Sequence, residues 1–263
     1  MQTLGRQKYQ LLHWFWAAMD LLYPPYCGGC KTRGDRFCAD CFNKVEIIQP
    51  PTCDYCGYPQ NYPGSCWKCK NEPPVYNALR SWAAFSGPLR QVLHRLKYQH
   101  DRGLGELLSH HLIEFLHQLE WEIDLVVPVP LGLVRQNERG YNQADLLARP
   151  LAMGCGYVYR KNALRRIRET RSQVGLTAKQ RMLNVDGAFK ADPLLVTNQC
   201  ILIVDDVTTS GATIKACASA LLEASAREVY GLTLARALQA YHDYSQFQVG
   251  INSDAPITFQ EDK

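Results

Sequence analysis

The sequence has no apolar run long enough to cross a bilayer. Its most aromatic stretch, residues 9–23 around His13-Trp14-Phe15-Trp16, is interrupted by His13 and Asp20 and is too short and too polar to span. It also lacks a small-residue cleavage site, so it does not read as a secretory signal. There is no GxxxxGK[ST] element, which excludes a phosphate loop of the NTPase kind. A strong excess of one charge sign is lacking as well: 29 Lys and Arg against 25 Asp and Glu leave a formal net charge of +4, which permits an anionic ligand but does not by itself imply nucleic acid. What remains is a globular chain of 263 residues, 46% apolar, able to bury a core and long enough for one medium domain and a small one.

Cysteine is plentiful, and its spacing says more than its number. Four CxxC pairs precede residue 70: Cys27/Cys30, Cys38/Cys41, Cys53/Cys56 and Cys66/Cys69. A CxxC turn sets two thiolates on one side of a knuckle, and two knuckles complete a tetrahedral sulfur shell, so these pairs predict two zinc sites. Protein ligands fill each shell, which makes the metals structural. A redox reading needs one pair in a thioredoxin-like setting, and four pairs argue against it. Sequential pairing is the simplest ligand assignment; an interleaved one satisfies the same spacing. Cys155, Cys200 and Cys217 stand among apolar residues and read as small core side chains. The expected compartment is the cytosol, where paired cysteines mean metal more often than disulfide.

The chain divides into four stretches. Residues 1–24 form an amphipathic aromatic helix ended by Pro24-Pro25, either docked on the protein or laid against a partner or the inner face of a membrane. Residues 25–74 are rich in Cys, Gly and Pro, show little apolar periodicity, and need a staple to fold. Residues 75–236 alternate strand-like and helix-like segments: strands at 79–85, 124–130, 199–204 and 228–235, helices at 87–97, 105–119, 140–153 and 210–226. This alternation predicts an α/β domain with a parallel sheet and crossover helices. Residues 237–263 are a polar tail ending in acids.

The segment 201–213 (ILIVDDVTTSGAT) has a definite physical logic. Four β-formers predict a strand buried on both faces. Asp205 and Asp206 end it, at the sheet edge where open α/β folds bind ligands. Thr208, Thr209, Ser210, Gly211, Ala212 and Thr213 then lead into a helix, where backbone N–H groups can converge on an anion and hydroxyls can add donors. The acids would repel a phosphate, but they suit sugar hydroxyls and a metal-bound water. The implied ligand carries both a phosphate and a diol. The plainer alternative is a strand followed by a Ser/Thr helix cap.

This segment resembles the phosphoribosyl-pyrophosphate (PRPP) binding motif of type I phosphoribosyltransferases. The resemblance implies that Asp205 and Asp206 contact the ribose 2′- and 3′-hydroxyls, with Mg²⁺ accompanying PRPP, and that Thr208, Thr209, Ser210, Gly211, Ala212 and Thr213 cradle the 5′-phosphate. Ser210 stands where Thr is commoner and keeps the hydroxyl.

A second loop follows Val127-Pro128-Val129-Pro130. Arg135 and Arg139 lie there in what reads as a turn-rich segment before a helix, suited to balancing a pyrophosphate or to a solvated cap. Between residues 160 and 181 come Arg160, Lys161, Arg165, Arg166, Arg168, Arg171, Lys179 and Arg181 against the single acid Glu169. Three readings stand: a solvated basic face, a mobile arm over pyrophosphate to which Arg166 and Arg171 would belong, or a groove for nucleic-acid backbone.

The ordered series PVP, RGYNQA, RIRETRSQ (166–173), Leu176, Arg181, Asn184-Val185 and Ala188-Phe189, with the cysteine segment before it, is similar to the ComF family. The resemblance runs from about Cys27 to Arg236. It implies a double zinc ribbon joined to a type I phosphoribosyltransferase domain, and an association with competence for DNA uptake. Its ribbon cations (Lys31, Arg33, Arg36, Lys44, Lys68, Lys70) and aromatics (Tyr55, Tyr58, Tyr62, Trp67) suit either a structural hood or stacking on single-stranded DNA. Two functions follow. One is an enzyme that transfers phosphoribosyl from Mg²⁺-PRPP to an acceptor with pyrophosphate release, with Tyr241, Tyr244 and Phe247 as candidates to stack on a base. The other is a non-catalytic PRPP-binding protein that handles single-stranded DNA beside the competence machinery.

Overall fold

The structure is a computed structural model and describes residues 2–99, 101–170 and 177–238. The strands are β1 (Ala78–Ala84), β2 (Leu125–Pro128), β3 (Val158–Tyr159), β4 (Leu164–Arg166), β5 (Phe189–Ala191), β6 (Cys200–Thr208) and β7 (Glu228–Arg236). The helices are α1 (Gln2–Leu22), α2 (Ala39–Phe42), α3 (Trp67–Asn71), α4 (Gly87–Tyr98), α5 (Gly103–Gln118), α6 (Leu133–Arg139), α7 (Gln143–Cys155), α8 (Ala178–Val185), α9 (Pro193–Val196) and α10 (Ala212–Glu223). Five strands form one parallel sheet in the order β1-β7-β6-β2-β3, and β4 and β5 pair antiparallel beside it.

The run of aliphatics in β6 is explained by its place in the middle of this sheet. Side chains of a strand alternate between faces, and both faces are covered. Leu202 and Val204 join a core with Leu89, Leu93, Leu104, Leu112, Leu147 and Leu151 from α4, α5 and α7. Ile201 and Ile203 join a second core with Ile214, Cys217 and Leu221 of α10 and Phe189 of β5. Local signals set the helix ends. Pro88 opens α4, the Asn142 side chain accepts from Ala144 N at the start of α7, and Thr177 with Gln180 makes a capping box on α8.

Several sequence expectations shift. The segment expected as turns around Arg135 and Arg139 contains helix α6, closed by Gly140 in the left-handed conformation. β6 runs on through both acids to Thr208, and α10 starts two residues later than expected, at Ala212. Cys200 and Cys217 are buried, while Cys155 is half-buried. Arg181, grouped by sequence with an exposed basic arm, is 3% exposed because α8 turns it inward. Arg171 and Tyr241, Tyr244 and Phe247 lie outside the described residues.

The cysteine segment is an internal repeat. Each half opens with a knuckle held by matching turn bonds, Cys27 N to Thr32 O and Lys31 N to Cys27 O in the first, Cys53 N to Tyr58 O and Gly57 N to Cys53 O in the second. In each, the second pair starts a short helix, with Cys38 before α2 and Cys66 before α3. The repeat lies along β1. Ile48 N donates to Trp82 O, Ala84 N to Glu46 O, and Leu79 N to Tyr55 O. Phe42 stacks on His111, which lies parallel to Trp82 with ring centroids 5.0 Å apart.

Helix α1 docks on the protein. Arg36 of the first ribbon donates to Asp20 at 2.5 Å and also pairs with Asp101, while His13 lies 3.2 Å from the buried Glu106. Its outer side carries Leu11, Trp14, Phe15, Leu21 and Leu22, all exposed. Among the described residues no helix is long and apolar enough to cross a membrane.

Candidate functional site

The sheet reverses its winding between β2 and β6. From β2 the chain crosses by α7 to β3 on one side; from β6 it crosses by α10 to β7 on the other. A crevice opens beyond the strand ends at such a reversal, and ligands of open α/β sheets bind there. Two loops flank it, one after β2 leading through α6, the other after β6 leading into α10. Asn142 fixes the first by donating from Nδ2 to Val129 O at 2.9 Å.

Asp205 and Asp206 stand at this edge, and the two-residue period of the strand sends them to opposite faces. Asp206 is buried on the α4 side, where Lys97 Nζ lies 2.6 Å from its Oδ2. Asp205 is half-buried on the α10 side, near Cys217, and its Oδ1 accepts from Asp206 N at 2.9 Å. Their ionisation differs accordingly. Burial, then the neighbouring Asp206 charge, raise Asp205 well above the usual carboxylate range. Burial also opposes the charge on Asp206, but the Lys97 ammonium outweighs it and Asp206 is held below that range. The pair therefore offers one acid that readily keeps a proton and one fixed carboxylate.

The loop after β6 borders a small cleft, lined by Asp205, Val207, Thr208, Thr209, Gly211, Ala212 and Thr213. Gly211 has φ +78°, a conformation that glycine adopts without strain, and it turns the chain into α10. The first turn of a helix leaves N–H groups without intrahelical partners and carries the positive end of its dipole. Ser210 Oγ is buried and has no hydrogen-bond partner among the described residues.

The arginines named from sequence divide into two groups. Arg139 donates to Gln143 Oε1 at 3.1 Å and to the Tyr98 hydroxyl at 3.2 Å, and its charge helps hold Asp206 ionised. Arg166 lies over the Phe189 ring, donates to Thr170, and is close enough to Arg135 to feel its charge. It also lowers the Cys217 thiol against burial, which puts it on the Asp205 side. Glu169 Oε1 accepts from Leu133 N at 2.5 Å and so ties α6 to the basic segment. Sequence reasoning passed over Lys97, Tyr98, Gln143 and Asn142. Lys97 had a signal: it lies four residues after Leu93, at the border of the apolar stripe of α4.

The cysteines pair sequentially. Cys27, Cys30, Cys38 and Cys41 form one set and Cys53, Cys56, Cys66 and Cys69 the other, with the sulfurs of each set within 4.8 Å of one another. A tetrahedral zinc with Zn–S bonds of ~2.3 Å needs sulfurs roughly 3.8 Å apart. Cys30 and Cys38 are separated by 3.6 Å and Cys56 and Cys66 by 3.9 Å. Backbone N–H groups of Gly29 and Cys38 point at Cys27 Sγ, and that of Cys66 at Cys53 Sγ, as thiolates require. Thr32 brings Cys30 down to about 6. The donor sets fit two structural zinc ions. Of the ribbon's cations and aromatics, Arg36 is taken up by Asp20 and Asp101 and Tyr55 and Tyr58 are partly covered, which leaves Lys31, Arg33, Lys44, Tyr62, Trp67, Lys68 and Lys70 outward.

A larger cleft lies away from this edge, between α1 and α5, lined by Tyr9, His13, Trp14, Glu106 and His110. Its one buried acid, Glu106, is already engaged by His13.

Residues 18–70 match a family model described as a double zinc ribbon domain. Across 210 residues the chain is 34% identical to the DNA utilization protein YhgH of Escherichia coli K12, covering 76% of this chain and 90% of the relative. It is 32% identical to competence protein F of Haemophilus influenzae over 222 residues, covering 80% and 94%. Competence protein ComFC of Bacillus subtilis is 27% identical over 232 residues, covering 84% and 89%. Among solved structures, a glutamine PRPP amidotransferase from B. subtilis aligns with 53% of this chain and 30% of its own, at 20% identity and TM-score 0.37, a likeness too slight to carry inference.

Proposed function

The chain belongs to the ComF family, and on that premise we propose that it binds Mg²⁺-PRPP at the crevice between β2 and β6 and transfers the phosphoribosyl group to a nitrogen acceptor, in a cell's handling of DNA that it takes up or uses. We take residues 25–74 as the ribbon and 75–236 as the phosphoribosyltransferase-like domain. What carries this is one juxtaposition: an acid pair at the end of the central strand, followed closely by a left-handed glycine, a helix N-terminus and a buried hydroxyl without a partner among the described residues.

Asp205 and Asp206 would accept hydrogen bonds from the ribose diol and hold the water shell of Mg²⁺. The metal would add positive charge beside the pyrophosphate. Thr208, Thr209, Ser210 and Thr213, with the backbone from Gly211 and Ala212, would hold the 5′-phosphate. Lys97, Arg135, Arg139 and Arg166 are the cations available to the pyrophosphate; Arg171 completes the set named from sequence. The C1–oxygen bond to pyrophosphate breaks and the electron pair leaves with it. The acceptor nitrogen forms a bond to C1 and loses its proton to solvent. Cations already held in place stabilise the leaving group's growing charge without reorganising.

Isothermal titration of the protein with Mg²⁺-PRPP tests the premise. Saturable binding that is lost in Asp205→Ala/Asp206→Ala supports it, and no binding by the wild type rejects it. Pyrophosphate release on adding purine bases, pyrimidine bases or simple amines then tests turnover.

A second reading has one observation in its favour. Arg160, Lys161, Arg165 and Arg168, close in sequence, are each exposed, and exposed cations suit the backbone of single-stranded DNA. Salt-dependent binding of an oligonucleotide, lost when these four are neutralised, with no pyrophosphate release from any acceptor, would favour a non-catalytic DNA-handling protein.

A further inference from the structure

The second zinc knuckle touches the sheet at β1 and β7, the two strands on one side of β6. Gly57, at φ +67°, rides so close to β1 that a Cβ added to it would lie 2.2 Å from Leu79 O. Tyr55 O accepts from Leu79 N at 2.7 Å, and Arg80 Nη1 donates to Asp54 O at 2.9 Å. Leu79 passes this contact inward: its Cδ2 and the Tyr76 hydroxyl lie 3.5 and 3.4 Å from where a Cβ on Gly211 would stand.

The second contact is with β7, the strand next to β6. Arg236, buried at 3% exposure, donates to Cys56 O and, through Nε, to Ser81 Oγ at 3.3 Å. Arg236 is in register with Thr208, the last residue of β6 before the loop, and Ala237 N donates to Thr208 O at 2.9 Å. Tyr58 of the same knuckle donates to Leu238 O at 2.9 Å. The first knuckle bears elsewhere: Gly28 lies on Val92 of α4, and Tyr26 O accepts from Arg95.

We infer that the second zinc site is a positioning element for the phosphate loop, acting on Thr208 through Arg236 and on Gly211 through Leu79 and Tyr76. The two metals then have separate work. The first braces the α1–α4 side, and the second sets how firmly the loop between strand and helix is held, and hence its affinity for a phosphate group. The affinity part rests on the PRPP reading above; the mechanical part does not.

The test uses the full-length, zinc-loaded protein and hydrogen exchange of peptides spanning 205–213. Gly57→Ala should lift the knuckle off β1 while leaving every cysteine ligand and every loop residue unsubstituted. Exchange there should quicken about tenfold, with peptides of β2 and α5 unchanged. Gly28→Ala, which meets a side-chain methyl at 3.0 Å, should leave the loop alone. If Gly57→Ala loses zinc or fails to fold, Arg236→Met is read in its place, with Arg236→Lys restoring part of the protection. Unchanged loop exchange in the variant read, or equal quickening in Gly28→Ala, overturns the inference. If the wild type binds Mg²⁺-PRPP, the variant should bind about tenfold more weakly, and equal affinity also overturns it. If the wild type does not bind PRPP, the functional proposal falls and the exchange result alone decides this one.

Discussion

The Lys97 ammonium lies 2.6 Å from Asp206 Oδ2, joining the last turn of α4 to the end of the central strand. Lys97→Met leaves that carboxylate buried without its cation. Stability at neutral pH should fall by about 2–3 kcal/mol, less than the ~3–5 kcal/mol of a fully buried pair because Lys97 keeps some contact with water. The Asp206 pKa is depressed in the fold, so the pair's contribution is present above the usual carboxylate range and is lost as pH falls through the depressed value. Urea denaturation of both proteins at neutral pH and near pH 3 checks this: the gap should narrow in acid. Asp206→Asn added to Lys97→Met should recover part of the loss.

Asp205 should behave oppositely. Its pKa is raised in the fold, so stability falls as pH rises from the ordinary carboxylate value through the raised one. Asp205→Asn removes that cost and keeps an acceptor for Asp206 N. The variant should be more stable than the wild type at pH 7, and indistinguishable from it near pH 3, by denaturant midpoint. It should also lose any PRPP binding.

Gly211→Ala places a side chain at φ +78° with only ordinary contacts around it. The expected cost is the backbone strain alone, about 1–2 kcal/mol. A thermal melt reads it, and Gly211→Val should cost more because a β-branched residue tolerates the left-handed region less well.

Elemental analysis should find two zinc ions per chain, one for each four-cysteine set. Cys38→Ser and Cys66→Ser should each lower the count by one. A strong chelator should abolish the ribbon's ordered contacts with β1, because a segment with so small a core folds on its metals.

Much of the site was legible because its signals are local. Four aliphatics, two acids and a Thr/Ser/Gly turn specify a buried strand, its acidic end and a helix start without reference to the rest of the chain. The CxxC spacings specify knuckles for the same reason. Side-chain partners across the fold were not legible. The separation of Asp205 and Asp206 onto different faces follows from strand periodicity once β6 is seen to run through them, but the sequence suggested that the strand stopped at Val204. Lys97 could be matched to Asp206 only after α4 was laid against the sheet. Arg181 was not legible because neighbours in a charge run need not share one environment: α8 turns it inward while Arg160, Lys161, Arg165 and Arg168 face solvent. The sequential pairing of cysteines became clear only from the distances between sulfurs.

The residues that lie along β1 have a consequence beyond the site. β1 is the last strand of the sheet on its side, and Glu46, Ile48 and Tyr55 hydrogen-bond to its outer backbone. An uncovered strand edge is a template for pairing with other chains. Here the cover is held in shape by metal. Zinc starvation would therefore unmask a sticky border on an otherwise folded molecule, and its first sign would be copies of the protein adhering to one another before the sheet itself melts.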